Sequence, residues 1–329
     1  MTAPLKAQPF LAADVGGTHV RLALLAPACP GAPQVLAYAK YRCAAHAGLG
    51  SIAGDFLASL GQRPTVAVIA SAGRLLADGS VLSANLPWPL SVPDLRRSLG
   101  LDALHLINDF EAVAHAVPLM QERALLHLSG PVQAPQGPRL VLGPGTGLGA
   151  ALWIPQHAGG RVLATEAGQA ALAVRTPLEL QLLQHLQREH RHVSIEHVLS
   201  GPGLLRLYRA LCALGGVPPV HDRPDQVSAA AMGADDAPAR EALEVFCALL
   251  GSSAGDLAMA CGAQGVYLAG GFLPRIAPFL AGSSFAERFV DKGPMRAVLE
   301  QVPVTLVDHG QLGVMGAAAW WLARGPAED

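Results

Sequence analysis

A strand, a glycine turn and a second strand occur twice in this chain, and this repeat constrains the fold more than any other feature. Residues 9–25 are an apolar run, a Gly-Gly turn and a segment in which apolar and other residues alternate. Alternation with period two is typical of a strand. The same order returns in residues 139–154, around the glycines of residues 143–149. Such a weak internal duplication predicts two related α/β halves.

The rest of the chain supplies further strands and helices for these halves. Between the hairpins, the sequence predicts strands at 65–70 and 104–108 and helices at 92–99 and 110–117. After the second hairpin, it predicts helices at 177–188, 195–199, 203–214 and 237–260, strands at 266–269 and 302–307, and a closing helix at 312–322. Proline and glycine mark the segments 129–138 and 215–224 as loops.

Size and charge narrow the classes of function. A chain of 329 residues with 51% hydrophobic residues can form about two domains. Its formal net charge of -2 gives no positive field for nucleic acid or for an acidic membrane surface. The residues before position 10 have no apolar core of signal-peptide length, and no window is apolar enough to span a bilayer. We therefore expect a cytoplasmic protein with a small-molecule partner.

The number and spacing of the cysteines are typical of a protein in a reducing compartment. There are five, an odd number, and no two have the C-x-x-C spacing. The histidines near position 190 match no zinc signature, so we expect no zinc. The cysteines are Cys29, Cys43, Cys212, Cys247 and Cys261.

The first glycine turn suits a polyphosphate. Gly16 and Gly17 allow backbone N–H groups to approach phosphate oxygens, and Thr18 adds a hydroxyl donor. Asp14, at the end of the strand, can hold the hydrated magnesium that accompanies ATP. The alternative is an ordinary hairpin with a Gly-Gly turn.

The second turn makes phosphate binding the stronger interpretation. Gly145, Thr146 and Gly147 lie among four alternating glycines, which is more than a hairpin needs. Both turns run into strands, whereas a dinucleotide-binding loop opens a helix, which counts against a dehydrogenase. A third pair, Gly270 and Gly271, follows a short strand and suits either close approach to adenine or a tight connection.

An Asn-Asp pair ends the strand at 104–108. Asp109 can be the N-cap of a helix that begins at Phe110. Alternatively, Asp109 is a general base at the carboxyl end of a strand, where α/β proteins commonly bind ligands. With an ordinary pKa of about 3.9, its carboxylate is ionised at neutral pH.

Together with residues 196–204, these motifs resemble those of bacterial glucokinases in residue type, order and separation. The resemblance covers nearly the whole chain and implies a two-domain α/β fold of the actin-like, ribonuclease H-like sugar kinases. It implies a small domain at 1–119, to which 310–329 return, and a large domain at 120–309, closing over ATP and sugar. It also implies a homodimer, and the zinc motif of the related ROK kinases is absent.

The resemblance further implies roles for individual residues. Asp109 corresponds to the base for the sugar 6-hydroxyl. The implied sugar contacts are Asn85, Asn108, Glu166, Gln169 and Glu196. The implied nucleotide contacts are Ala13, Asp14, Val15, Gly16, Gly17, Thr18, Gly145, Thr146, Gly147, Gly270 and Gly271, with Asp14 holding Mg²⁺ through water. For Glu196, an acidic residue in a helix first turn after Ser194 is the alternative.

One position departs from the family pattern. Where the family usually has Glu-Gly-Gly-His, this chain has Glu166-Ala167-Gly168-Gln169. The Gln169 amide can donate a hydrogen bond, but with a different reach and shape from histidine. A kinase for another hexose or amino sugar therefore stays open beside glucose, as does a sugar or nucleotide sensor with weak catalysis.

Overall fold

A computed structural model describes residues 8–27, 33–82, 86–120, 123–157, 159–233 and 236–324. The strands are β1 (Phe10–Val15), β2 (His19–Pro27), β3 (Pro33–Arg42), β4 (Val66–Ser71), β5 (Arg74–Leu75), β6 (Ser80–Leu82), β7 (Leu90–Ser91), β8 (Ala103–Asn108), β9 (Ala124–Ser129), β10 (Arg139–Pro144), β11 (Leu148–Gln156), β12 (Gly159–Thr165), β13 (Gly265–Leu268) and β14 (Val304–Val307). The helices are α1 (Leu49–Leu60), α2 (Val92–Leu99), α3 (Asp109–His115), α4 (Val117–Met120), α5 (Pro177–Leu186), α6 (Ile195–Val198), α7 (Gly201–Leu214), α8 (Pro224–Gly233), α9 (Ala237–Cys261), α10 (Ala277–Gly282), α11 (Phe285–Val290), α12 (Arg296–Leu299) and α13 (Leu312–Ala323).

The chain divides into two compact units. The first unit is Met1–Pro118, Gln156–Val162 and Gly310–Asp329, and the second is Leu119–Pro155 and Leu163–His309. The closing helix α13 therefore belongs to the same unit as the first strand. The predicted domain boundaries stay a prediction.

The first unit is built on a five-stranded sheet in the order β3-β2-β1-β4-β8. Strand β1 is parallel to β4, and β4 is parallel to β8, whereas β2 and β3 are antiparallel to their neighbours. Parallel strands that are buried on both faces read as continuous apolar runs, which is the pattern of β1 and β4. One face packs on α1 and α2 through a cluster that includes Leu11, Ile52 and Phe56.

Helix α13 packs on the face of β1 that carries Asp14, and it also packs closely on α3. A Cβ atom on Gly316 would overlap the carbonyl oxygen of Ala112, so only glycine allows the two helices this separation. Gly313, one turn earlier, lies directly over the side chain of Asp14. Two glycines thus fix where α13 crosses the sheet.

The second unit is built on a six-stranded sheet in the order β12-β11-β10-β13-β14-β9. Its helices surround one large apolar core, with α9 at the centre. Helix α9 is long and apolar enough to cross a membrane by length and composition alone, but 78% of its most apolar 18-residue window is buried within the protein. A buried helix of this kind belongs to a protein core.

The structure confirms both predicted hairpins. Residues Leu142 and Ala150 pair across the second hairpin as Ala13 and Leu22 pair across the first. The other predicted strands and helices are present within a few residues of their expected bounds. The elements that were not predicted include strand β3, helix α1, strand β9 and helix α8.

Candidate functional site

The first glycine turn joins the central strand of the first unit to its antiparallel neighbour. Gly16 N–H donates to the His19 carbonyl at 3.0 Å and closes the turn. A Cβ atom on Gly16 would meet nothing closer than that carbonyl, at 3.5 Å, so the fold itself leaves room for a side chain there. The absence of a side chain keeps the backbone open to an approaching ligand, as a phosphate turn requires.

Cys43 fastens this turn from the end of β3. Its backbone N–H donates to the Thr18 carbonyl at 3.0 Å, and its thiol Sγ lies 3.2 Å from the Gly16 carbonyl oxygen. Burial raises the pKa of this thiol. Cys43 is thus a neutral side chain that holds the turn on one side.

The carboxylate of Asp14 is almost buried and is paired with Arg21. Arg21 Nη1 lies 3.1 Å from Asp14 Oδ2, because the two residues are directly opposite each other in the β1–β2 register. Asp14 also lies beneath the first turn of α13, whose dipole favours a negative charge. These contacts fix the carboxylate in one orientation at the end of β1.

Basic residues of β2 and β3 lie near the first turn. In the β2–β3 register, His19 lies opposite Arg42 and Arg21 lies opposite Lys40. Burial, and then the charges of Lys40, Arg21 and Arg42, lower the pKa of His19. Cations in such positions suit a polyphosphate, and sequence reasoning missed Lys40 and Arg42 because it did not predict β3.

The Asn-Asp pair lies at the same edge of the sheet as the first turn. Val15, Ser71 and Asn108 are successive partners across the parallel strands β1, β4 and β8. With strands about 4.8 Å apart, Val15 and Asn108 are about 10 Å apart. The first unit therefore places Asp109 and the first glycine turn at one edge, where α/β sheets commonly bind ligands.

The structure corrects the alternative role of Asp109. The N-cap of α3 is Asn108, whose Oδ1 accepts from the backbone N–H groups of Phe110 at 2.9 Å and of Glu111 at 3.0 Å. Asp109 is the first residue of the helix, and its Oδ1 accepts from Phe110 N–H at 2.9 Å. Both residues are good caps, and the helix begins one residue earlier than the sequence suggested.

Two of the predicted nucleotide contacts have buried side chains. Ala13 and Val15 lie within β1, between β2 and β4, and are 1% and 0% exposed. They carry no side-chain surface that a nucleotide could touch. The predicted sugar contact Asn85 lies outside the described residues.

The second glycine turn lies at the carboxyl edge of the second sheet. Gly145 N–H donates to the Gly147 carbonyl at 2.7 Å, which leaves Thr146 exposed at the tip. A Cβ atom on Gly145 would have no neighbour closer than 4.0 Å. As in the first turn, the fold leaves open space where a ligand can approach the backbone.

The third glycine pair lies beside the second turn. Ala269 N–H donates to the Leu142 carbonyl at 2.9 Å, and a Cβ atom on Gly270 would overlap the carbonyl oxygen of Pro144. Gly271 has no atom within 4 Å of an added Cβ. Gly270 is therefore required by a close strand connection, whereas Gly271 leaves free space for a ligand.

Two of the predicted sugar residues meet in the second unit. Gln169 Nε2 donates to Glu196 Oε1 at 3.1 Å, and Leu148 backbone N–H donates to Glu196 Oε2 at 2.8 Å. Glu196 is also in the first turn of α6, after Ser194, which is the position that the alternative interpretation predicted. The Gln169 amide thus orients a carboxylate that the sequence assigned to a sugar hydroxyl.

Glu166 and His192 complete this group of residues. Glu166 precedes a short 3₁₀ turn and is exposed, and its carbonyl accepts from Gln169 N–H at 2.9 Å. His192 Nε2 lies 2.9 Å from the Gln169 carbonyl oxygen.

A pair of histidines, His190 and His197, lies nearby. Their ring centroids are 4.7 Å apart. Burial, and then the charge of His190, lower the pKa of His197.

A separate cavity of about 590 Å³ opens at the opposite edge of the second sheet. Its lining includes Pro135, Gln264 and Leu299, near the start of β10 and β13. It contains none of the predicted site residues. Among the described residues, no group of three or more His, Cys, Asp or Glu side chains is arranged to hold a metal ion.

Comparisons with known proteins find one family model and several similar chains and structures. The family model described as Glucokinase matches residues 11–324. A "Glucokinase-like protein" of Xylella fastidiosa (strain 9a5c) is 55% identical over 320 residues, covering 96% of this chain and 95% of the relative. A "Glucokinase" of Chromobacterium violaceum is 40% identical over 316 residues, covering 95% and 89%. The crystal structure of a glucokinase from an Antarctic psychrotroph has a TM-score of 0.81 at 37% identity, covering 95% of this chain and 98% of that one.

Proposed function

This chain belongs to the glucokinase family, and on that premise we propose that it transfers the γ-phosphoryl group of ATP to the 6-hydroxyl of D-glucose, with Asp109 as the general base. Glucokinases are enzymes that phosphorylate glucose, and the family implies ATP as the phosphoryl donor. The resemblance seen in the sequence and the expected α/β sugar kinase fold are both confirmed. The assignment of residues to substrates is the proposal.

The observation that carries the proposal is the shared edge of the first sheet. The turn at residues 16–18 follows the end of β1 and Asp109 follows the end of β8, at the same edge of the sheet with only β4 between them. This arrangement suits a phosphate and an acceptor hydroxyl. The Asp109 carboxylate takes the 6-hydroxyl proton as that oxygen attacks the γ-phosphorus, and the bond to the leaving ADP oxygen breaks. Base catalysis of this kind contributes about 10²- to 10⁴-fold, with positioning and charge neutralisation supplying the rest.

The two glycine turns bind the phosphates in this proposal. In the first unit these residues are Gly16, Gly17 and Thr18, with Arg21 beside them. In the second unit they are Gly145, Thr146 and Gly147, and Gly270 and Gly271 lie near the adenine ring of ATP. Magnesium enters as part of the MgATP substrate. Magnesium is commonly held by one or two carboxylates together with phosphates and water, and Asp14 is a single carboxylate that fits this role.

The proposed sugar contacts likewise include residues of both units. Asn108 has its Oδ1 committed to the helix cap, so its amide Nδ2 remains as the donor to a hydroxyl. Glu166 and Glu196 accept from other sugar hydroxyls, and charge-assisted bonds of this kind are strong. Gln169 completes the set, and Asn85 stays in the proposal on the sequence alone.

The test is phosphoryl transfer by the wild type and by Asp109→Asn, which keeps the shape of the side chain but not its basicity. We expect the wild type to release ADP with glucose and the variant to lose at least about 10²-fold in kcat, with a KM for ATP within about threefold. Normal turnover by Asp109→Asn would exclude Asp109 as the base.

Gln169 favours one second candidate, a kinase for another hexose or amino sugar. The same assay across glucose, mannose, fructose, N-acetylglucosamine and N-acetylmannosamine separates the two, because the preferred sugar has the highest kcat/KM. Tight sugar binding without ADP release would instead indicate a sensor.

The cellular setting belongs to the proposal as well. We propose that the enzyme acts in the cytoplasm as a homodimer, on sugar and ATP, without nucleic acid or membrane. The odd, scattered cysteines and the buried position of α9 support this setting. Sedimentation velocity of the purified chain tests the dimer.

A further inference from the structure

The Glu196 carboxylate touches two parts of the second unit that the proposed function assigns to different substrates. Oε1 accepts from the Gln169 amide, on the sugar side, and Oε2 accepts from the backbone N–H of Leu148, which directly follows the second glycine turn. We infer that Glu196 is a positioning residue for the nucleotide, because it holds this turn in the conformation that binds phosphate. The inference rests on the proposed function and extends it to the link between the two substrates.

The glycine at position 147 supports this role. Its φ lies outside the left-handed region, so the backbone conformation does not require glycine. A Cβ atom there would overlap Glu196 Oε2. Glycine at position 147 therefore leaves room for the Glu196 carboxylate beside the turn, and a side chain there would displace the carboxylate.

The turn is held from both sides by one segment of the chain. Gly201 N–H donates to the Gly145 carbonyl at 2.8 Å, while Glu196 binds at the other side through Leu148. Ser200 Oγ donates to the Glu196 carbonyl at 2.9 Å, which ties the two anchors together. A displacement of Glu196 is therefore transmitted to the turn, while Thr146 at the tip stays exposed to a ligand.

The donors on the two sides of the carboxylate make the inference testable. Both Glu196 oxygens face N–H groups, so Glu196→Gln places one new NH₂ group against a donor in either orientation of the amide. Adding Gln169→Glu supplies an acceptor for that NH₂ group. The double substitution thus restores both hydrogen bonds with the polarity of the side-chain pair reversed, and it keeps the net charge of the wild type.

The experiment measures the affinity for MgATP by calorimetry in the absence of sugar. We expect Glu196→Gln to weaken MgATP binding about tenfold, which corresponds to about 1.4 kcal/mol. We expect the double variant to recover most of this loss while glucose binding stays impaired. Glu189→Gln is the matched control, since it makes the same change of carboxylate to amide at an exposed position of the second unit, and its affinity for MgATP should equal that of the wild type.

Several results would overturn the inference. One is an MgATP affinity of Glu196→Gln within twofold of the wild type, and another is a double variant no better than the single one. Hydrogen exchange of the wild type gives a measurement independent of variant folding: the Leu148 amide should exchange slowly, and rapid exchange contradicts the contact. A wild type that binds no MgATP would refute the proposed function and this inference with it, whereas active wild-type enzyme with unaffected Glu196→Gln refutes the inference alone.

Discussion

Lowering the pH from 7.5 to 5.0 should destabilise the first unit through His115, in the last turn of α3. Burial, and then the charge of Arg324, lower the pKa of His115 from 6.5 to about 4. The unfolded chain binds a proton to this imidazole near pH 6.5, whereas the folded protein resists protonation until about pH 4. The contribution of His115 to stability is therefore complete above pH 6.5 and is lost as the pH falls from 6.5 towards 4.

The two pKa values set the size of the effect. At pH 5.0, a group with these values lowers the free energy of unfolding by about 2 kcal/mol relative to pH 7.5, and the full loss below pH 4 is about 3 kcal/mol. The effect belongs to α3, the helix that also presents Asp109.

The assay is urea unfolding followed by tryptophan fluorescence at pH 7.5 and 5.0. His115→Gln removes the titrating group, so its loss of stability between the two pH values should be smaller than that of the wild type by about 2 kcal/mol. His157→Gln, at an exposed position, is the control and should follow the wild type. If His115→Gln and the wild type lose equal stability on acidification, the proposed origin of the pH dependence is wrong.

Two further predictions concern the packing of α13 and the first glycine turn. Gly316→Ala should lower the free energy of unfolding by about 3 kcal/mol, because the added methyl overlaps the Ala112 carbonyl. The control Gly54→Ala, in open space within α1, should raise the free energy of unfolding by about 0.5–1 kcal/mol. Equal shifts of the thermal unfolding midpoint in the two variants would contradict the described packing of α13. Arg21→Gln should raise the KM for ATP about tenfold, because it removes the partner of Asp14 and a positive charge. The KM for glucose should stay within twofold of the wild type. Equal changes in both KM values would argue against a role of Arg21 in nucleotide binding.

Local patterns in the sequence predicted the elements that carry the site. The period-two alternation and the glycines specify both hairpins within about 15 residues each, so no tertiary information is needed to find them. The placement of Asp109 at a strand end also followed from local signals. Its exact position relative to the helix did not, because Asn108 and Asp109 are equally suitable caps and only the folded backbone selects between them.

Contacts between distant segments could not be predicted in this way. The cations Lys40 and Arg42 lie near His19, beside the first turn, through the register of β3, a strand whose sequence gave no clear signal. The hydrogen bond between Gln169 and Glu196 joins residues 27 positions apart. The bond from Leu148 to Glu196 uses a backbone group, which no side-chain motif reveals.

The close packing of α13 on β1 has a consequence for biosynthesis. Asp14 and Gly313 are in contact, yet the ribosome makes them roughly 15–60 s apart at about 5–20 residues per second. Until α13 emerges, the surface of β1 that it covers stays exposed to solvent. The second unit, whose segments are all synthesised earlier, can reach its native state first, and the unit that presents Asp109 is completed afterwards.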